Sequence, residues 1–403
     1  MQRLDREYDN LRAALRRSRD SREPEIGLRL AAALWRFWYT HGHLSEGRAW
    51  LEGFLVAVEP VATALPASVR AAALYGMGVL AWAQGDYDRT TALCVDSLVL
   101  CQDLGDRRGI ARALTTLGNV AIAWGDYPRA RALHEEGLGH RRALGDRWGM
   151  ALSLHNLGSV ATAQGDYARA AALHEESLAL RQGLGDAAGI AASLGSLASV
   201  ATTQGDYARA LALSEEGLVV ARELGDQRLS ADALTDQGRL ALARGDAVSA
   251  LVLIEEGLAL YRRLGDQWGI ARALAALGCG ALARGDAARA RAVYQEGLAL
   301  YQRMDEKAGV ATCLEGVAGL AWAEGQPGRA ALLYGAAAGL RTAIGAPIPS
   351  IDRTAHDHTV TALREALGDD ACAAAWAAGQ ALSLEQAITT ALTYAAPKRV
   401  TAP

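Results

Sequence analysis

Residues 121–130 read Ala-Ile-Ala-Trp-Gly-Asp-Tyr-Pro-Arg-Ala, and the Gly125-Asp126-Tyr127 at their centre recurs in register along half of the chain. The dipeptide Gly-Asp begins at residues 85, 105, 125, 145, 165, 185, 205, 225, 245, 265 and 285, one every 20 residues with no insertion or deletion. Alternate copies differ. Gly-Asp-Tyr begins at 85, 125, 165 and 205, whereas Leu-Gly-Asp ends at 106, 146, 186, 226 and 266. The true period is therefore 40, built from two unlike halves of 20.

The unit 106–145 shows what each half does. Asp106 suits an N-cap, where its carboxylate accepts from the orphan amides of a first helical turn. Ile110, Ala113/Leu114, Leu117, Val120/Ala121 and Trp124 then form an apolar stripe at helical spacing. Gly125 stops that helix at the position where a left-handed φ costs glycine least. Asp126 starts the next helix, and Pro128 falls in its first turn, where a missing N–H does no harm. Ala130, Leu133, Gly137/Leu138 and Leu144 continue to Gly145. We call the two helices of a unit A and B. Turns this short force A and B antiparallel, and Tyr127 and its equivalents, Tyr167 among them, are expected to pack the turn.

Small residues recur where helices must approach. Gly78, Gly118, Gly158, Gly238 and Gly278 share one phase of helix A, with Ala198 and Ala318 in their place elsewhere. A glycine inside a helix costs about 1 kcal/mol relative to alanine. Five at one phase imply close contact with a neighbouring helix. The array runs from 67 to 344 and decays through Asp305-Glu306, Gly325-Gln326 and Gly345-Ala346. Before it, 3–20, 25–41 and 45–58 read as helices, followed by a proline-marked loop at 59–66. After it, 351–367, 369–379 and 383–394 read as helices. The expected fold is all-α: a right-handed α-solenoid of about seven 40-residue helical hairpins. An N-terminal cap with one irregular hairpin spans 1–66, and a C-terminal cap and tail spans 345–403.

Leu-Gly in helix A, Gly-Asp-Tyr at the turn and an alanine three residues later resemble the tetratricopeptide repeat. The match departs in length, because the usual unit has about 34 residues. A wider resemblance rests on the opening EYDNLRAALRRS, on LAAALWRFWYTHGHLSEGRAWLE and on the closing ALGDDACAAAWAAGQALSLEQAITTAL. These are similar to the C-terminal sensor region of bacterial signal-transducing ATPase regulators of the LuxR and AfsR types. That resemblance implies a sensing arm whose partners include the ATPase and DNA-binding domains of a larger regulator.

Composition narrows the function. A net charge of −4 on 403 residues makes no general case for nucleic acid or an acidic membrane surface. The start MQRLDREYDN has no apolar core of a signal peptide, and no run of 18 apolar residues occurs, so a cytoplasmic location and no membrane association are expected. Cys94, Cys101, Cys279, Cys313 and Cys372 form no CxxC pair and read as reduced, buried or half-buried thiols. The two lysines follow Glu306 and Pro397, so no Walker A loop exists, and neither Gly-x-Ser-x-Gly nor His-Glu-x-x-His occurs. No enzyme activity, cofactor or metal is expected. His41/His43 and His356/His358 read as solvated side chains rather than ligand pairs. The Glu135-Glu136, Glu175-Glu176, Glu215-Glu216 and Glu255-Glu256 row reads as a wet face. His134 and His174 share a phase of helix B, with His155 between them, and read as histidines that pack as aromatics.

The ligand surface is expected on helix A, off the core stripe, at phases that vary between units while the scaffold phases do not. The candidates are Arg112, Thr115, Asn119, His155, Asn156, Ser159, Arg239 and Glu315, with Trp82 and Trp322 as apolar anchors. The function read from this is a non-catalytic module that binds a protein, peptide or small effector in a concave groove, as the sensor arm of a regulator. The alternative is a free-standing scaffold or co-chaperone-like adaptor for peptide segments.

Overall fold

The computed structural model describes residues 4, 6–21, 24–58, 65–348 and 350–393. Among them are twenty α-helices and no strands. The first three are α1 (Tyr8–Asp20), α2 (Pro24–Thr40) and α3 (Leu44–Val58). Seven hairpins follow: α4 (Ala67–Ala83) and α5 (Tyr87–Asp103), α6 (Arg107–Ala123) and α7 (Tyr127–Leu144), α8 (Arg147–Ala163) and α9 (Tyr167–Leu184), α10 (Ala187–Gln204) and α11 (Tyr207–Leu224), α12 (Gln227–Ala243) and α13 (Ala247–Leu264), α14 (Gln267–Ala283) and α15 (Ala287–Arg303), α16 (Lys307–Ala323) and α17 (Pro327–Ile344). The chain closes with α18 (Ser350–Leu367), α19 (Asp369–Gln380) and α20 (Leu384–Leu392). The expected helix 3–20 is described from residue 4 and as α1 from Tyr8, and most of the expected loop 59–66 lies outside the described residues. No helix among the described residues is long and apolar enough to cross a membrane.

The turns do what their sequence requires. Gly125 has φ +75°, and glycine stands in the left-handed region at both kinds of turn. The following aspartate caps: Asp166 accepts from Arg169 N at 3.2 Å, and Asp206 from Arg209 N at 3.2 Å. Where the pattern decays the geometry persists. Asp305 takes φ 50°, the one described non-glycine residue with positive φ, and Glu306 caps α16 by accepting from Gly309 N at 2.6 Å.

The glycine phase in helix A faces the residue sixteen positions later in helix B. A methyl group at Gly118 would lie 2.6 Å from the His134 ring, one at Gly158 would lie 2.6 Å from His174, and one at Gly78 would lie 2.8 Å from Cys94 Sγ. Each glycine is thus a notch filled by a helix B side chain. His134 and His174 are each 1% exposed and pack there as apolar rings. Where alanine replaces the glycine at 198, the facing residue is the small Ser214. At Ala318 the facing residue is Tyr334, whose ring stacks on Trp376 and meets His356 edge-on.

The chain forms two compact units, Met1–Ile122 with Pro128–Ser153, and Ala123–Tyr127 with Leu154–Pro403. In the first, Trp38, Phe54 and Leu51 build the core of the α2–α3 hairpin. Glu46 clasps α1 onto it, accepting from Tyr8 OH at 2.8 Å and from Arg12 Nε and Nη2 at 2.7 and 2.5 Å. The Arg12 hydrogen bond holds the Glu46 carboxyl down at about 2. In the second, one apolar core runs from Ala231 to Ala391 and takes in the terminal helices. The array of this unit also meets itself, because Gly125 abuts Ile344 and Gly165 abuts Pro347.

Several expectations needed correction. His41 and His43 are half-buried and stack on Phe37, and His43 also on Tyr8, so they are not solvated. His356 is likewise half-buried. Cys279 is exposed, whereas the other four cysteines are buried, and all five are free. Tyr127 is 2% exposed, but Tyr167 is only half-buried, packing beside Ala161, Ala170 and Val200. The glutamate row is exposed, as expected of a wet face, and Glu175 pairs with Arg209 of the next helix B at 2.6 Å.

Candidate functional site

Helix A residues off the core stripe are half-buried almost throughout, neither sealed like the scaffold phases nor free like a solvated face. In the first unit Arg112, Thr115 and Asn119 line one side of α6 at helical spacing. The Arg112 guanidinium lies 4.2 Å from the centre of the Tyr75 ring and 5.7 Å from that of Trp35, a cation held between two aromatic faces. Thr115 donates to Ala111 O and accepts from Arg141 Nη2 at 2.9 Å. Arg141 is 4% exposed and also donates to Ser153 Oγ at 2.5 Å. Trp82 is half-buried near the end of α4.

In the second unit His155, Asn156 and Ser159 share one stretch of α8. The His155 ring meets His174 edge-on at 5.2 Å, and Ser159 donates back to His155 O. Burial pulls His155 down to about 3, helped by His174 and Arg181, so the ring is neutral at ordinary pH. Arg239 lies 3.8 Å from Asp236, and through it joins a network on α12–α14. There Arg272 donates to Asp236 at 2.9 Å, to Asp232 at 2.6 Å and to Tyr261 OH at 2.7 Å. Burial pushes the Asp236 carboxyl up against the pull of Arg272 and Arg239. The exposed Trp268 ring lies 5.2 Å from the Arg272 guanidinium. Glu315 is held by Arg341, whose Nε and Nη2 reach its two oxygens at 2.5 and 2.7 Å. Trp322 is half-buried against the core of this unit.

The structure thus gathers His155, Asn156 and Ser159, and draws Arg239 into a balanced network of two arginines and two aspartates. It leaves Glu315 in a separate pair. Residues that the sequence did not single out are Arg141, Arg181, Asp236, Tyr261 and Arg341. Each reaches a partner on another helix, a relation that the period alone does not disclose. A small cavity of about 240 Å³ lies elsewhere, between the α15–α16 turn and α20, lined by Tyr301, Lys307, Val310 and Leu384 among others. Among the described residues no group of three or more His, Cys, Asp or Glu side chains is arranged to hold a metal ion. The chemistry on offer along helix A is hydrogen bonding, ion pairing and cation–π contact.

Seven antiparallel hairpins, repeating nearly the same scaffold phases beside a variable set on the first helix, define an α-solenoid repeat protein. The chain carries tetratricopeptide repeats: the family's profile matches residues 69–143, 149–223 and 189–263. A protein from Mycobacterium tuberculosis that bears the name of an HTH-type transcriptional regulator is 32% identical over 117 residues, which are 28% of this chain and 13% of that protein. Its Mycobacterium bovis counterpart matches equally, and the matched stretch spans about an eighth of the length of these relatives. Among solved structures, a Rap protein complexed with competence and sporulation factor covers 91% of this chain and 99% of its own, with TM-score 0.58 and 11% identity. The apo form of the quorum sensor NprR from B. thuringiensis covers 84% and 93%, with TM-score 0.55 and 14% identity. The Rap conjugation gene regulator of plasmid pLS20, in complex with the Phr* peptide, covers 70% and 74%, with TM-score 0.58 and 14% identity. At these identities the likeness is one of fold.

Proposed function

We propose that this chain is the recognition arm of a bacterial regulator, binding a peptide or other extended polypeptide along helix A and passing the event to ATPase and DNA-binding domains. The observation that carries the reading is the contrast within helix A. One set of phases hardly varies and is buried; the neighbouring set, with the polar residues Arg112, Asn119, His155, Asn156 and Arg239 in it, varies freely and is half-buried. A structural framework needs only the first set. Of two solved proteins of similar fold, one is in complex with the Phr* peptide and the other with competence and sporulation factor, and a sequence relative bears a transcriptional regulator's name, which supports the same direction.

The test is native mass spectrometry of the purified protein to catch a co-purified ligand, followed by binding of the identified peptide to Arg112→Ala and Arg239→Ala. Loss of an exposed ion pair or cation–π contact to a ligand is worth about 0.5–1 kcal/mol, so each variant should bind roughly two- to fivefold more weakly with an unchanged circular dichroism spectrum. Peptide affinity unaffected by both changes would place the ligand elsewhere.

A further inference from the structure

Arginine recurs at one step of helix B, as Arg141, Arg181 and Arg341, each nearly buried at 4, 5 and 8% exposure. The helix A residue 26 positions earlier decides how that cation is satisfied. For Arg341 it is Glu315, which takes the Nε–Nη2 edge of the guanidinium in a two-point grip at 2.5 and 2.7 Å. That edge matches the spacing of two carboxylate oxygens. For Arg181 the same position holds His155, which is neutral and supplies no carboxylate.

Arg181 spends its other amino group inside the protein, where Nη1 donates to Gly189 O at 2.5 Å and to Ser193 Oγ at 3.0 Å. Nε and Nη2 have no hydrogen-bond acceptor among the described residues. No described carboxylate lies within ion-pair distance of Arg181. Asp186 is close enough to act on it through its charge, but its Oδ1 is committed to Gly189 N at 3.2 Å. The other polar groups around it are His174, whose Nδ1 is buried without a partner, as is that of His155, and Ser177, 3.5 Å from Ser193. A buried arginine with only neutral direct partners is costly to keep. The repeat that closes the array meets that cost with its own glutamate.

We propose that Arg181 anchors a carboxylate-binding subsite, in which an acid group of the ligand takes the Nε–Nη2 edge that Glu315 takes on Arg341. The subsite deepens the proposed function by giving the ligand a chemical class, and it rests on helix A being the ligand side. The acid is the C-terminus or an acidic side chain of a peptide, or a free organic acid; the carboxylate is common to all of them.

The test is a titration of the whole protein, labelled with nitrogen-15, following the arginine Nε–H resonances. Arg181→Lys, which keeps the charge but removes the edge, assigns the resonance. Sodium acetate should shift the Arg181 signal with saturation in the millimolar range, while sodium chloride at equal ionic strength should not. Gly-Gly-Gly as the free acid should compete, and its amide should not; competition by neither would assign the site to small organic acids. Inorganic phosphate binding more tightly than acetate would overturn the carboxylate assignment. In His155→Glu the new side chain should fill the edge from within, so acetate saturation disappears while the fold is kept. No saturation in the wild type, or unchanged saturation in His155→Glu, refutes the proposal. Acetate binding at Arg181 in a protein that binds no peptide would instead sink the proposed function and leave this subsite standing.

Discussion

The notch between Gly158 and His174 makes a sharp prediction, because two general effects oppose each other there. Replacing a helix-interior glycine with alanine normally stabilises a protein by up to about 1 kcal/mol. At Gly195 of α10, where an added methyl would meet nothing within 4 Å, that gain should appear in full. At Gly158 the same methyl would stand 2.6–2.8 Å from three atoms of the His174 ring, against about 3.5–4.0 Å for ordinary contact. The ring, 1% exposed, would have to retreat by about 1 Å into a packed interior. Overpacking of this kind costs about 1–3 kcal/mol. Gly158→Ala should therefore be net destabilising by about 1–2 kcal/mol, with the opposite sign to Gly195→Ala. The hairpin with Ala198 facing Ser214 indicates the remedy. Gly158→Ala combined with His174→Ser reproduces it, and a double-mutant cycle should return a favourable coupling of at least about 1 kcal/mol. Urea midpoints followed by tryptophan fluorescence measure the four proteins of the cycle and Gly195→Ala. Gly158→Ala as stable as Gly195→Ala, or zero coupling with His174→Ser, would refute the notch as the reason for the glycine phase.

Three further outcomes are expected. His134 and His174 are pulled down to about 4 and His155 to about 3, in each case chiefly by burial. Because these folded values lie below the unfolded value of about 6.5, the unfolded chain takes up protons first; stability is complete above about pH 6.5 and falls from there toward pH 4, by up to about 3 kcal/mol per histidine. Carbon-13 histidine shifts still showing neutral rings at pH 5 would accompany that loss, and protonation near 6.5 would contradict it. Glu306 behaves oppositely: burial raises its carboxyl to about 7, so its contribution is complete below about 4.5 and is lost as pH rises to 7. Glu306→Gln, which keeps an oxygen for Gly309 N, should raise stability by about 2 kcal/mol at pH 8 and change little at pH 4. Asp305→Gly should relieve the left-handed backbone at φ 50° and raise the melting temperature, by up to about 1 kcal/mol of stability; a lower melting temperature would assign Asp305 a side-chain role instead.

Helix ends were legible in the sequence because each is specified by residues a few positions apart: a glycine that takes positive φ and an aspartate that caps. The periodic glycines likewise announced a close approach, since a recurrent helix-interior cost needs a recurrent reason. What the period did not disclose was the partner, and there lies the difference between His174 as a notch-filling ring and His155 as its half-buried neighbour. The contacts of the candidate site were harder still. An arginine on a repeat helix reads by default as a solvated cation, and nothing in the run Leu180-Arg181-Gln182 separates it from exposed Arg222 one hairpin later. The distinction arises because helix B crosses two helices A, placing residue 181 against residue 193 ahead of it in the chain, just as residue 341 meets residue 315 behind it. Once that crossing is known, sequence alone becomes informative again. At the step of Glu315 the earlier hairpins carry Thr115 and His155, and the same repeat rule that builds a self-neutralised pair at Arg341 leaves Arg181 without an acid of its own. The scaffold and the candidate site are therefore written at different ranges, the scaffold within a turn of helix, and the site in the comparison of one hairpin with the next.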